Sequence, residues 1–182
     1  MESTPSDQGQ VSRRGLMHAG IATATVLAIG VIGERAQAVA ADAPPISTMR
    51  ETVTYAAAQA LIVAAMGKAQ EIGVPMSVAV VDESGVLKAF ARMDGNSLVS
   101  VELVQAKAFT AAAFRTPTHI LADRNKDDPT RLASLTNTPH LPLLGGGYPI
   151  THGNVVVGGI GAGGGSPEQD RIVAEAALAA LA

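Results

Sequence analysis

Few residues in this chain could do chemistry, and most of them fall between positions 103 and 119. Leu103, Lys107, Thr110 and Phe114 recur at spacings of four, three and four, which places them along one stripe of a helix. The positions around them, Ala106, Ala108, Phe109, Ala111, Ala112 and Ala113, are apolar, so the helix is buried on most sides. A lysine and a threonine in that setting need partners. Either Thr110 bonds back to the carbonyl one turn earlier and Lys107 snorkels or meets a carboxylate, or both face a pocket. Just beyond lie Thr116, Thr118 and His119, the last on a short helix next to the apolar stripe and the best placed of the histidines to ligate a metal. His140 and His152 are the other candidates outside the N-terminal segment, and no HxxxH or HExxH pair joins them. His152 sits in a turn, where a lone histidine is usually solvated; it is kept as a candidate cofactor contact.

Other chemistries are excluded or lack support. There is no cysteine, hence no disulfide, thiolate metal site or cysteine nucleophile. No GxSxG elbow occurs, and Ser84 and Ser166 have turn and cap roles, so no catalytic residue is assigned. The string Gly159-Ile-Gly161-Ala-Gly-Gly164 fits GxGxxG, but a dinucleotide fold needs a further strand with an acidic residue about 20 positions on. The sequence ends too soon after it, and no nucleotide cofactor is expected. The loop still offers free N–H groups at a helix start, an anion-accepting arrangement. A net charge of -3 and 3% aromatic residues argue against nucleic-acid binding.

The elements that must position these groups read as one α/β (α+β) domain. With 182 residues, 47% of them hydrophobic, the chain can bury a core. Thr48-Met-Arg-Glu51 matches a capping box, and apolar residues at three and four from Ala58 to Ile72 make an amphipathic helix stopped by Gly73 and Pro75. Residues 76–82 and 86–93, around Ser84-Gly85, form an antiparallel hairpin. The second helix starts at Ser97 or Ser100 and ends near Phe114. Thr116-Pro117 caps the short helix that carries His119. Residues 123–131 are exposed, 133–139 loop-like, and 140–144 and 148–151 short extended pieces. Residues 155–160 are a buried strand, and Ser166-Pro-Glu-Gln169 opens a final helix.

The N-terminal part is of another kind. Arg13-Arg14, an apolar run over 19–33 and Ala36-Gln-Ala38 compose a twin-arginine-type signal peptide over 1–38. The run is short of the roughly 20 residues of a membrane span, so no stable span is expected after cleavage. Residues 39–47, with Pro44-Pro45, form a linker, and 48–182 the domain. The expected location is periplasmic or extracellular.

The ordered set Ser77-Val-Ala-Val-Val-Asp82, Gly85, Arg92-Met-Asp94-Gly95, Lys107-Ala-Phe-Thr-Ala111, Gly146-Gly-Tyr-Pro-Ile150, Gly158-Gly-Ile-Gly161 and Asp170 resembles the GlcG/HbpS family of small haem-binding proteins. The same domain type is similar to the C-terminal part of PduO-type cobalamin adenosyltransferases. The resemblance implies a profilin-like antiparallel sheet flanked by helices, homo-oligomers, and haem as cofactor. It also implies an exported role in haem sensing, storage or iron handling. Lys107, Thr110, Phe114, Thr116, Thr118, His119 and His152 are then the expected cofactor contacts, and His119 the expected iron ligand. The alternative is a module or enzyme that holds a small carboxylate at the glycine-rich loop.

Overall fold

The computed structural model describes residues 45–181. Its elements are α1 (Tyr55–Glu71), β1 (Ser77–Asp82), β2 (Leu87–Arg92), α2 (Val99–Phe114), α3 (Thr118–Asn125), α4 (Pro129–Thr136), β3 (Gly147–His152), β4 (Val155–Gly163) and α5 (Pro167–Ala179). The strands form one antiparallel sheet in the order β2-β1-β4-β3. The expected sheet flanked by helices is what forms, within a compact unit that begins at Arg50. The expected signal peptide, and the expected linker as far as residue 44, lie outside the described residues. No helix among the described residues is long and apolar enough to cross a membrane.

Alternation along the two central strands builds the layers. Val78, Val80, Ile160 and Ala162 point to one face, where Leu61 and Ala65 of α1 and Val173, Ala174 and Ala177 of α5 complete the main core. On the other face Val81 packs on Ala108 and Ala112 of α2. There β4 presents glycine. A Cβ on Gly159 would stand 2.2 Å from the Ala108 carbonyl oxygen, and one on Gly161 would stand 2.1 Å from that of Val104. The GxGxxG string therefore runs along a strand and its exit turn, and its glycines seat a helix backbone directly on the sheet.

Two local expectations are corrected. The first helix does not start at Thr48: Thr54 is the cap, its Oγ accepting from Ala57 N at 3.1 Å. The preceding residues run extended beside β4, with Val53 N donating to Val157 O at 2.8 Å, so burial of Val53 prevails over an exposed extra turn. Residues 129–136 are helical where part of them read as loop, because Asp128 caps the Arg131 N–H and Pro129 occupies the first turn. At the C-terminal end the Ser166–Gln169 capping box forms as read.

Candidate functional site

Helix α2 has two working faces. Its inner face, Val104, Ala108 and Ala111, is sealed on the sheet. Its outer face carries Val99, Glu102, Leu103 and Ala106, and the segment after α4 crosses above them. Between the two lies an open groove of about 420 Å3, bordered on the far side by residues 136–142. A neighbouring cavity of about 300 Å3 is lined by Val81, Leu87, Gln105, Ala106 and Phe109. Both are within the roughly 300–1,000 Å3 of small-molecule sites. Ala106 and His140 line both. His140 is held at φ 64, a left-handed backbone uncommon for a residue with a side chain. Its carbonyl accepts from Thr110 Oγ at 3.0 Å.

The expected site residues separate into groups. Lys107 is 1% exposed and donates to Asp170 Oδ2 at 2.7 Å and to the Ala162 carbonyl at 3.0 Å, so it is committed to an interior carboxylate on α5. Thr110 bonds back to the Ala106 carbonyl at 2.8 Å while also reaching His140. Thr118 is fully buried; its hydroxyl donates to the Leu144 carbonyl and accepts from Gly147 N, fixing the entry into β3. Phe114 is half-buried, and Thr116 Oγ donates to the Phe114 carbonyl at 3.0 Å, a local bond at the end of α2.

His119 stands elsewhere, against Tyr148, with ring centroids 5.6 Å apart. Its Nδ1 is buried and without a hydrogen-bond partner. Burial, and then the nearby Arg171 guanidinium, hold the imidazole below the usual histidine range, so it is neutral at physiological pH. Tyr148 hydroxyl bonds Glu175, and burial together with that bond pushes the phenol up to about 12. His119 is not among the residues lining the two cavities on α2. His152 is also apart: exposed, 2.8 Å from Glu51 Oε2, on the rim of a third cavity of about 450 Å3 between Val53, Ile150 and Val157. Among the described residues, no group of three or more histidine, aspartate or glutamate side chains could hold a metal ion.

The glycine-rich loop is occupied by its own chain. Gly165 N donates to Asp170 Oδ1 at 3.0 Å and Ser166 N to Gln169 Oε1 at 2.8 Å. Those are N–H groups that a bound carboxylate would need. Of the three candidate histidines, His140 is one that the sequence did not single out. Its only sequence signal was its residue type, since neither its left-handed backbone nor its position over α2 follows from spacing.

The chain belongs to the family described as haem-degrading protein HbpS-like, whose model matches residues 53–179. A 15.0 kDa protein from the dhaT-dhaS intergenic region of Citrobacter freundii is 38% identical over 128 residues, which is 70% of this chain and 90% of that protein. The crystal structure of HbpS is similar with TM-score 0.70 and 36% identity, covering 77% of this chain and 98% of that one. The crystal structure of a PduOC:haem complex is similar with TM-score 0.66 and 36% identity, covering 71% of this chain and 94% of that one.

Proposed function

We propose that this chain binds haem in the groove over the outer face of α2, as an exported protein that senses or stores haem or handles its iron. The observation that carries the seat is His140, held in a left-handed conformation where two cavities meet. Leu103, Ala106 and Phe109 provide an apolar wall for the macrocycle, and the His140 imidazole provides a ligand for iron. Haem supplies an iron centre able to exchange electrons and take small ligands. Among the described residues the lining includes Glu102 and Gln105 but no lysine or arginine, so the propionates of a bound haem would face water. The solved haem complex of the PduO domain and membership of the HbpS-like family support the choice of cofactor.

One observation favours a second ligand, the one expected from the sequence. His119 is a neutral imidazole whose buried Nδ1 has no partner. Haemin titration of the purified chain separates the two. A Soret shift lost in His140→Ala and kept in His119→Ala assigns His140, the reverse assigns His119, and no shift in the parent protein rejects haem binding. The export claim rests on Arg13-Arg14 and the apolar run after them. Fractionation of cells carrying Arg13→Lys with Arg14→Lys should leave the protein in the cytoplasm; unchanged export would reject the twin-arginine route.

A further inference from the structure

We infer that Thr110 is the positioning residue for His140, an inference that rests on the haem seat proposed above. Thr110 is fully buried within α2, and its one hydroxyl proton is shared between the Ala106 carbonyl one turn back at 2.8 Å and the His140 carbonyl at 3.0 Å. The Ala106 carbonyl alone could satisfy the hydroxyl, so the half of this bifurcated bond that reaches His140 matters chiefly to the segment carrying His140. Residues 139–145 belong to no helix or strand, and Pro139 and Pro142 bring no N–H to a ladder. Among the described hydrogen bonds, this stretch is tied to the rest of the fold by two threonine hydroxyls, Thr110 on α2 and Thr118 on α3. Thr110 acts at the residue whose backbone is left-handed, a conformation that persists only where the surroundings impose it. The clamp fixes the His140 backbone where it crosses α2, and through it the range the exposed imidazole can reach over the two cavities that His140 borders; Thr110 is the positioning residue and not itself a ligand.

The test compares Thr110→Val, which keeps the shape and removes the donor, with Thr110→Ser, which restores the donor. In the apo full-length protein, Thr110→Val should speed native-state thermolysin cleavage within residues 139–144 by about fivefold, the opening that loss of one hydrogen bond permits. With haemin, its absorption spectrum should move to that of His140→Ala. Thr110→Ser should return both to the parent values. Should the valine variant not fold, Thr110→Ala gives the same comparison. Parent-like cleavage in the valine or alanine variant overturns the clamp. Faster cleavage with a parent-like haemin spectrum, where His140→Ala changes that spectrum, overturns the positioning role. A His140→Ala spectrum identical to the parent's instead removes His140 as ligand, and with it the positioning role, while the cleavage rates still decide the clamp.

Discussion

Replacing Asp170 by Asn should leave the Lys107 ammonium charged, buried and without its counter-ion. Lys107 is 1% exposed at its side chain and Asp170 is 6%, and the two meet at 2.7 Å. Water cannot take over, and the Ala162 carbonyl at 3.0 Å is a dipole rather than a charge. Breaking a buried pair by removing one partner costs about 3–5 kcal/mol. At this chain size that is a fall in melting temperature of roughly 6–20 °C. The Asn oxygen can still accept from Gly165 N, now 3.0 Å from Asp170 Oδ1, so the loss isolates the charge rather than the loop contact. Lys107→Met should cost a similar amount, because it leaves the carboxylate with that single N–H. The double variant Lys107→Met with Asp170→Asn removes both charges and should cost no more than either single change, a coupling of about 3 kcal/mol. Urea unfolding of the three variants and the parent, with slopes compared to exclude denatured-state effects, measures it. Additive losses, or a cost below about 1 kcal/mol for Asp170→Asn, would refute an interior held by this pair.

Three further outcomes follow from the geometry. Gly161→Ala places a Cβ 2.1 Å from the Val104 carbonyl oxygen and should destabilise by about 3 kcal/mol or more, whereas Gly67→Ala, in the exposed interior of α1 with nothing within 4 Å, should stabilise by about 0.5–1 kcal/mol; equal effects in urea unfolding would contradict the glycine seat. By NMR, His119 should titrate below the ordinary histidine value near 6.5. Its depressed native value means a stability contribution complete above 6.5 and lost as pH falls through the native midpoint, so His119→Gln should melt with a shallower pH dependence across that window. Gly85, at φ 82, would with a Cβ meet the Phe109 ring at 2.4 Å; Gly85→Ala should lower stability and, by shifting Phe109 in the smaller cavity, weaken haemin binding about tenfold, and unchanged binding would argue against that cavity as part of the seat.

Much of the fold was legible because its signals are local. The valine-rich run with its Ser84-Gly85 turn specified the β1–β2 hairpin, and Ser166 with Gln169 marked the start of α5. Thr48 misled because a capping box reports only what a helix end would accept; the competing use of those residues, the pairing of Val53 with Val157, involves positions about a hundred residues apart. The site was less legible for the same reason. The stripe through Leu103, Lys107, Thr110 and Phe114 was correctly a stripe, but spacing could not say that Asp170 would meet Lys107 or that His140 would meet Thr110.

The glycine-rich strand accounts for how one helix holds both arrangements. A helix resting on ordinary side chains lies about 10 Å from a sheet, with those side chains as spacers between the two backbones. Glycine at 159 and 161 removes the spacers, so α2 sinks until its own carbonyls nearly touch the strand. At that depth Lys107 reaches the Ala162 carbonyl and the carboxylate of α5, and its charge is used inside the domain. The outer face then sits low enough for the segment carrying His140 to cross above it, with cavities left on either side of the crossing. The glycines that resemble a nucleotide turn thus shape the proposed ligand site from the opposite side of a helix, by setting its height. A substitution that lifts α2, such as Gly161→Ala, should for that reason disturb the Lys107–Asp170 pair and the haem seat together, while His140→Ala should spare the pair.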